Sequence, residues 1–522
     1  MGCSAQRSTA FASIFTCLAL VPARVPSVVP GPLKVPLQPA SNLMSENALP
    51  PTEFPRNLSV SPKSQIDPVV TFLNSQGQSV RGTIMNLQRK SLVMEVYNPY
   101  SIVQVSEVLS DLTVRQSTRS AYSGKAVITN IVNTGLTAIV SVTLTDEWRE
   151  LSEVLTTPAG VGLEARMFVE DWARRFRIGR SYQIVVNELR AYLSEISRWV
   201  EQVDLPASLP KENGHLRNDY FYELAAPLVE RTRSYFAALE GEAAQVETEL
   251  APAHRAFAQA ALHPLMLRAP FVFRTYTKPL GYAGDYLMVN QIIEDPRQGP
   301  STYFQIVNAA FLQTSVAAAH RNRIDLLLDF LNRMAQRARD TGRPFRILNV
   351  GCGPAIEIQR FLQTCPNPEL LSFELLDFSE ETLAYTREKL GSIAQRMGRP
   401  LAVDFVHDSV HHLLKRRLEP LPSSAREFDA VYCAGLFDYL SDKVCIRLLN
   451  HFAARTRSGG QMLVTNVHSN STEKYSMEHL LEWYLIYRDE AKLDALLPET
   501  AIARRLYVDA TGVNVFAETT IA

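Results

Sequence analysis

The sequence predicts an α/β protein with three successive folded parts: a small β-barrel, a helical region and a carboxyl-terminal parallel sheet. Runs of β-branched residues separated by turn residues predict the barrel, and apolar residues at helical spacing predict the helical region. From Phe345 onward short apolar strands alternate with helices, which is typical of a parallel sheet covered on both faces. We therefore divide the chain into residues 1–66, 67–158, 159–343 and 344–522.

The composition excludes several classes of protein. Of 522 residues, 46% are apolar and 20% are charged, which does not fit a wholly disordered, collagen-like or coiled-coil chain. Lys and Arg (53) nearly cancel Asp and Glu (54), so the net charge gives no reason to expect a nucleic-acid partner. The six cysteines form no C-x-x-C pair, and no histidine pair has metal-ligand spacing. We expect reduced thiols, a cytoplasmic location and no metal.

The first segment, residues 1–66, is predicted to be a disordered tail. Eleven of the 30 prolines fall within the first 68 residues, where no periodic apolar pattern could bury enough surface to offset chain entropy. The apolar stretch from Ala10 to Ala23 is too short for a membrane span, and no stable membrane insertion is expected. Two alternatives remain open: an export signal, or a true start at Met44.

The second segment contains five runs that are rich in β-branched residues. Short strands at this spacing, bounded by turn residues, indicate a small barrel. The five runs are 82–85, 92–97, 101–105, 126–132 and 138–144.

The third segment has almost no strand signal. Its apolar residues recur at helical spacing, as in Phe168, Trp172 and Phe176. An aromatic-rich interruption at residues 268–290 contains charged and phenolic side chains, which is unusual for a simple connector. These side chains are Arg274, Tyr276, Lys278, Tyr282, Asp285 and Tyr286.

The strongest signal for chemistry is a glycine-containing loop after the strand at residues 345–350. Gly351-Cys352-Gly353 follows that strand and leads into a helix. A backbone without Cβ atoms can approach a nucleotide-like ligand closely, because a side chain there would obstruct it. The next strand ends at Asp377, where a carboxylate can accept hydrogen bonds from both hydroxyls of a ribose.

Three further strand ends are predicted at the same edge of the sheet. One strand ends at Asp408 and Ser409, the next runs from Phe428 to Ala434, and a Gly459-Gly460 turn precedes another. A final β-hairpin with Thr511-Gly512 as its turn would close the sheet.

In this order of motifs the chain resembles the class I S-adenosylmethionine-dependent methyltransferases. The resemblance implies a Rossmann-like sheet of seven strands, with Gly351 and Gly353 against the methionine moiety. It also implies that Asp377 holds the ribose and that Asp408 and Ser409 lie beside the adenine. The remaining side chains implied to line the cofactor site are Cys352, Phe378 and Ala434.

The match has two departures. Asn349 stands where the family commonly has an acidic residue, and Ala355 stands where a third glycine is expected. The methionine amino group would then rely on other groups. The alternative is a dinucleotide-binding dehydrogenase, which also uses a G-x-G loop and an acid, but its third glycine is missing here too.

Three motifs also resemble bacterial biosynthesis proteins for 3-hydroxypalmitic acid methyl ester, a quorum-sensing signal. They lie at residues 277–286, 319–324 and 483–488. The resemblance implies that a fatty acid carboxyl is methylated in an apolar tunnel between the helical region and the sheet. A protein carboxylate or a small hydroxylated metabolite is the alternative acceptor.

A carboxylate acceptor needs a nearby cation, and the candidates are Arg274, Lys278, Arg321 and Arg323. Arg321 and Arg323 are two residues apart on a predicted helix and cannot share a face, and we select Arg321. Two other side chains, Tyr282 and His468, complete the catalytic candidates. Tyr282 would brace a lid over the cofactor, and His468 would be a general base for a hydroxyl acceptor.

The β-rich segment resembles the PilZ domain, which senses cyclic di-GMP through an R-x-x-x-R motif. Here Arg115 and Arg119 have that spacing, and residues 130–135 carry a degenerate second motif. The resemblance implies a cyclic dinucleotide as a partner, and the alternatives are a docking module or a homodimer interface. A different class of function also stays open, a signalling protein whose sheet binds S-adenosylmethionine without turnover.

Overall fold

The computed structural model describes residues 69–522 with several gaps. The segments described are 69–88, 90–96, 103–116, 119–133, 138–146, 161–162, 165–166, 169–170, 173, 177–205, 209–212, 215–248, 250–399, 402–415 and 427–522. The expected tail over residues 1–66 and the aromatic triplet Phe168, Trp172 and Phe176 lie outside them. None of the helices in the described segments combines the length and the apolarity that a bilayer span requires.

The amino-terminal part is a closed six-stranded antiparallel barrel in the order β1-β2-β3-β6-β5-β4. Alternate residues of its strands point inward, which is why side chains such as Val70, Phe72, Met94 and Val140 are fully buried. The strands are β1 (Val69–Leu73), β2 (Ser79–Leu87), β3 (Ser91–Val96), β4 (Val108–Gln116), β5 (Arg119–Asn133) and β6 (Ala138–Leu144).

One predicted strand of the barrel is wrong. In the predicted run 101–105, the described residues Val103, Gln104 and Val105 form a turn instead of a strand. The Gln104 N–H donates to the Glu107 carboxylate at 2.6 Å, and Ser106 has a left-handed φ of 69°. Strand β1 pairs with β2 and with β4, and the pattern of β-branched residues indicated neither β1 nor β4.

The middle part is helical, as predicted, apart from a two-residue hairpin. An apolar core made by its long helices holds it together, with residues such as Leu189, Phe236 and Leu262 fully or almost fully buried. The elements are α1 (Arg180–Asp204), β7 (Lys211–Glu212), β8 (His215–Leu216), α2 (Asn218–Ala243), α3 (Ala251–Met266), α4 (Pro270–Thr277), α5 (Tyr286–Ile293), α6 (Thr302–Leu312) and α7 (Ser315–Thr341).

The carboxyl-terminal part is a seven-stranded sheet in the order β11-β10-β9-β12-β13-β15-β14. Strand β15 is antiparallel to both of its neighbours, and the other pairs are parallel, so the predicted hairpin closes the sheet. The strands are β9 (Phe345–Val350), β10 (Leu371–Asp377), β11 (Val403–His407), β12 (Phe428–Cys433), β13 (Thr456–Val467), β14 (Ala501–Val508) and β15 (Asn514–Ile521).

In the described residues that follow β9, six helices accompany this sheet. The central strands are buried on both faces, which explains why β12 is apolar along almost its whole length. The helices are α8 (Ile356–Thr364), α9 (Glu380–Met397), α10 (Val410–Lys415), α11 (Asp442–Arg455), α12 (Lys474–Leu481) and α13 (Glu490–Leu496).

The barrel is attached to the rest of the protein by specific hydrogen bonds. The Val108 N–H donates to the Gly281 carbonyl at 2.9 Å. The Ser106 hydroxyl donates to the Glu482 carbonyl at 2.8 Å and accepts from the Tyr484 N–H at 2.9 Å. One end of the barrel is therefore held against two segments, around residues 281 and 482–484, whose neighbours line the functional cleft described next.

Candidate active site

A cleft with an empty volume of about 1250 Å³, part of it open to solvent, lies at the carboxyl ends of the parallel strands. This is the edge at which open parallel sheets bind ligands. Three parts of the chain form its walls: the ends of β9, β10 and β12, the helices around residues 282–327, and two turns of the barrel. A segment after β13, which contains Trp483 and Leu485, completes the lining.

The glycine loop after β9 is held in place by backbone hydrogen bonds. The N–H groups of Gly351 and Cys352 both donate to the Leu376 carbonyl, at 2.8 and 3.1 Å. Gly351 and Gly353 have left-handed φ angles of 71° and 52°, which glycine adopts without strain. A Cβ added at Gly353 would meet nothing within 4 Å, so the loop borders open space that a ligand could fill.

Asp377 ties this loop to the end of β10. Its Oδ2 accepts from the Gly353 N–H at 3.1 Å, and its Oδ1 accepts from the Ser379 N–H at 3.0 Å. Burial raises the pKa of the Asp377 carboxyl above its ordinary value, while these hydrogen bonds lower it. The side chain lines the cleft beside Phe378, as a residue that holds a ribose should.

The other expected cofactor residues lie around the same end of the cleft, with one exception. Cys352, Asp408 and Ala434 line it, whereas Ser409 is buried nearby but is not part of the lining. Burial raises the pKa of the Cys352 thiol well above its usual range, so this side chain stays a neutral thiol. Cys352 therefore acts as a small wall residue.

A residue that the sequence analysis missed, Glu357, supplies an acid at the base of the cleft. The Asn349 amide donates to the Tyr432 hydroxyl at 2.9 Å and to Glu357 Oε1 at 3.2 Å. The Tyr432 hydroxyl donates to the same oxygen at 2.7 Å. Glu357 lies in the first turn of α8, so it can replace the acid that Asn349 lacks and attract an ammonium group.

The lining of the cleft also contains a buried cation, Arg323. Its Nη1 atom is buried and has no hydrogen-bond partner among the described residues. Burial lowers the pKa of Arg323, and nearby acids, Asp438 first among them, partly offset that effect. The guanidinium lies against Gly435, where an added Cβ would be 3.0 Å from Nη1. An unpaired guanidinium in such a place can bind an anionic oxygen.

His320 lies one turn before Arg323 on α7 and also lines the cleft. Its Nδ1 is 2.9 Å from the Val316 carbonyl oxygen, so this nitrogen carries the proton. Burial and the nearby arginines lower the pKa of His320 to about 3, so the ring is neutral at physiological pH. The neutral ring leaves Nε2 unprotonated and able to accept a proton.

The structure corrects the choice of Arg321. Its Nη1 donates to the backbone carbonyls of Ile292 and Leu312, at 3.2 and 3.0 Å, and the residue does not line the cleft. Two consecutive odd positions of a helix lie about 200° apart, because each residue advances the helix by 100°. Arg323 therefore faces the cleft and Arg321 does not.

His468 also lies away from the cleft. Its Nε2 is 2.9 Å from a carboxylate oxygen of Glu490, and its Nδ1 accepts from the Asn470 N–H at 3.0 Å. Both ring nitrogens are thus occupied, and the residue is absent from the lining. The expected general-base role of His468 does not fit this arrangement.

Tyr282 lines the cleft, with its ring centroid 5.2 Å from that of Phe378. The cations that precede it along the chain have structural partners. Arg274 donates to Asp285 at 2.7 Å, and Asp285 caps α5 by accepting from the Met288 N–H. Lys278 donates to the Leu481 carbonyl at 3.1 Å, and burial lowers its pKa to about 8. Arg274 and Lys278 therefore brace the wall that carries Tyr282.

Residues 347–460 match the family model described as a methyltransferase domain. No curated protein matches the chain. Similar solved structures include a possible exported protein from Bordetella parapertussis, with 15% identity over 58% of this chain and 96% of that chain, at a TM-score of 0.39. Another is magnesium protoporphyrin IX methyltransferase from Synechocystis PCC 6803 with bound SAH, with 11% identity over 48% and 98% of the two chains, at a TM-score of 0.33.

The matched residues contain the glycine loop, Asp377, Asp408 and the end of β12, which together form the cofactor side of the cleft. Their geometry fits a cofactor with a ribose and an ammonium group, since a buried carboxylate is available for each. Residues 347–460 of the chain therefore form a methyltransferase domain.

Proposed function

We propose that this methyltransferase esterifies a carboxylate and that its acceptor is a fatty acid, with or without a hydroxyl group. The observation that carries the proposal is the unpaired Nη1 of Arg323 in the cleft. A buried guanidinium without a partner is costly, and a bound carboxylate would offset that cost with charge-assisted hydrogen bonds.

The apolar part of the lining supports an acyl chain. Met288, Val289, Ile324, Leu327 and Leu485 line the cleft together with Arg323. A fatty acid could place its carboxylate at the guanidinium and its acyl chain against these residues. This binding would remove apolar surface of both the acyl chain and the cleft from water.

The expected chemistry needs little acid or base assistance. S-adenosylmethionine, which we infer to be the methyl donor, would supply a methyl group on a sulfonium. A carboxylate oxygen would bond to that carbon as the carbon–sulfur bond breaks, giving a methyl ester and S-adenosylhomocysteine. Arg323 would orient the carboxylate, and the apolar walls would exclude water from it. No proton transfer is required from the protein.

A second candidate, transfer to a hydroxyl group, is favoured by one observation. The neutral ring of His320 has an unprotonated Nε2 in the same cleft as Arg323. A hydroxyl acceptor must lose a proton during transfer, and a neutral imidazole is a suitable base for it. The dependence of the rate on His320 therefore separates the two candidates.

The test uses bacteria that express the chain and receive methionine with a labelled methyl group. Mass spectrometry of their lipids should show labelled fatty acid methyl esters with the wild type and at least ~30-fold less with Arg323→Met, since an unpaired acceptor charge costs a few kcal/mol. Arg321→Met is the matched control on the same helix and should retain the esters.

Other outcomes identify the alternatives. Label in protein, or in an ether of a hydroxylated metabolite that disappears with His320→Ala, would contradict a fatty acid acceptor. Equal ester yields from Arg323→Met and Arg321→Met would contradict the assignment of Arg323. A cytoplasmic location, a homodimer and cyclic dinucleotide binding by the barrel stay predictions. The R-x-x-x-R motif extends outside the described residues, because residues 117–118 and the side chain of Arg119 are not among them.

A further inference from the structure

Two glutamines of the β-barrel line the cleft of the methyltransferase. Gln76 lies in the turn between β1 and β2, and Gln104 lies in the turn that precedes β4. They belong to a part of the chain far from the methyltransferase domain at residues 347–460. The barrel therefore contributes side chains to the cleft and is more than a neighbouring module.

The two turns are connected by one buried carboxylate, that of Glu107. Its Oε1 accepts from the Ser75 N–H at 2.5 Å, and its Oε2 accepts from the Gln104 N–H at 2.6 Å. Glu107 is completely buried. Because Ser75 precedes Gln76 directly, a single side chain fixes the backbone of both glutamine-bearing turns.

The turn that carries Gln76 has further support of its own. The Asn74 Oδ1 accepts from the N–H groups of Gln76 and Gln78, at 3.1 and 2.8 Å. Gly77 takes the left-handed φ of 71° that the turn requires. The position of Gln76 is therefore set before any ligand binds, which is what a recognition residue needs.

The side chain of Gln76 nevertheless has an unsatisfied atom. Its Oε1 is buried and has no hydrogen-bond partner among the described residues. A buried carbonyl oxygen without a donor costs free energy, so such an atom at the wall of a cleft is suited to a ligand that supplies an O–H or N–H group. Among the described residues of the lining, Gln76 Oε1 and Arg323 Nη1 are both buried polar atoms without a hydrogen-bond partner.

We propose that the barrel forms part of the acceptor site, where Gln76 and Gln104 bind a hydroxyl group of the methyl acceptor. Glu107 is the positioning residue for both. Asp377 and Glu357, which we expect to bind the cofactor's ribose and ammonium, belong to the methyltransferase domain, and we assign the barrel glutamines to the acceptor. This inference rests on the proposed function and deepens it, because it predicts selection of hydroxylated over unhydroxylated acids.

The test compares purified full-length variants with two acids, 3-hydroxypalmitic acid and palmitic acid. Gln76→Leu and Gln104→Leu remove the amide groups and keep similar volumes. Gln88→Leu is the matched control, because Gln88 lies in the β2–β3 turn, accepts from Ser91 Oγ at 3.0 Å and does not line the cleft. The measurements are kcat and KM for each acid, and S-adenosylmethionine affinity by titration calorimetry.

The cleft variants should raise KM for the hydroxylated acid about tenfold or more and lose the preference for it. Their S-adenosylmethionine affinity should stay within about twofold of the wild type, as should every value for Gln88→Leu. Glu107→Gln should also raise KM with little change in kcat, a separation that general loss of folded protein would not produce. An unchanged preference, or an equal loss of cofactor affinity, would overturn the proposal.

Failure of the proposed function would be recognised separately. If the wild type methylates neither acid, an organic extract of bacterial cells and labelled S-adenosylmethionine replace them as the acceptor mixture. A labelled product that is not a carboxylic ester contradicts the proposed function. The glutamine variants are then compared on that product: a reduced yield at limiting extract supports the role of the barrel, and an equal yield overturns it.

Discussion

The two sides of the cleft differ in how completely their polar groups are satisfied. On the cofactor side, both carboxylate oxygens of Asp377 accept hydrogen bonds, and the acid of Glu357 is held by Asn349 and Tyr432. On the side that we propose for the acceptor, Arg323 Nη1 and Gln76 Oε1 are buried without partners among the described residues. The cofactor side is therefore preorganised by its own contacts, whereas the proposed acceptor side has polar atoms available for a ligand.

The largest expected effect is a loss of cofactor affinity caused by a substitution on the cofactor side. Gly351→Arg should reduce S-adenosylmethionine affinity more than ~100-fold, because the side chain would fill the loop and the left-handed φ of 71° would be strained. Gly398→Arg is the matched control, since Gly398 has a φ of 60° with open space around it and is exposed. Calorimetric titration should find near wild-type affinity in the control. Comparable losses in the two variants would indicate backbone strain instead of a filled site.

Asp377→Ala should weaken cofactor binding by about 1–3 kcal/mol, because it removes the expected ribose contacts. It also frees the Gly353 N–H and the Ser379 N–H, which loosens the glycine loop. Asp404→Ala, an exposed acid on the neighbouring strand β11, is the control and should change the affinity little. If the loss appeared in KM for the acceptor and cofactor affinity were unchanged, Asp377 would belong to the other side of the cleft.

Gly435→Ala tests the boundary between the two sides. The added Cβ would lie 3.0 Å from Nη1 and 3.2 Å from Nη2 of Arg323, at a φ of 91°. We expect a loss of stability of about 1–2 kcal/mol from the backbone conformation. We also expect kcat/KM for the acceptor to fall more than cofactor affinity does, because the guanidinium must move. Thermal unfolding measures the loss of stability, steady-state kinetics measure kcat/KM for the acceptor, and calorimetric titration measures cofactor affinity. An equal fall in kcat/KM and in cofactor affinity would argue against a separate role for Arg323.

The sequence placed the glycine loop and Asp377 at one end of the sheet because their signals are local, whereas it did not indicate Glu357. The strand, glycine loop and helix that form the cofactor side are contiguous, and Asp377 comes at the end of the next strand. The acceptor side depends on residues that only the tertiary structure brings together. Distinguishing Arg323 from Arg321 requires the orientation of α7 relative to the cleft, and a short periodic pattern does not give that orientation. Gln76 and Gln104 carry no motif, and the turn at residue 104 was predicted to be a strand.

Strands β2, β3, β5 and β6 of the barrel could be predicted for the same local reason, since they are rich in β-branched residues, whereas β1 and β4 were not predicted. What the pattern could not give is where the barrel attaches. That depends on single hydrogen bonds such as those of Ser106 and of the buried carboxyl group of Glu107. Long-range contacts of this kind leave no periodic trace in a sequence, which is why the barrel's part in the cleft became visible only in the structure.

The smallest expected effect is on the pH dependence of stability, and it tests how Glu107 holds the two barrel turns. Burial raises the pKa of Glu107 from 4.5 to about 7. The folded protein therefore keeps a proton on Glu107 that the unfolded chain releases between about pH 4.5 and 7, so the contribution of this group to stability falls as pH rises through that range. Glu107→Gln cannot titrate and should lack this decline.

Thermal unfolding of the wild type and Glu107→Gln at intervals from pH 5 to 8 measures the difference in stability between the two proteins. The contributions of other titrating groups are common to both proteins and cancel in this difference. The stability of the wild type relative to Glu107→Gln should be greatest at pH 5 and should decrease towards pH 7. A difference that stays constant with pH would mean that Glu107 is ionised throughout and holds the turns as a carboxylate. A shrinking difference, accompanied by a parallel rise in KM for the acceptor, would instead connect the protonation of a barrel residue to the acceptor side of the cleft.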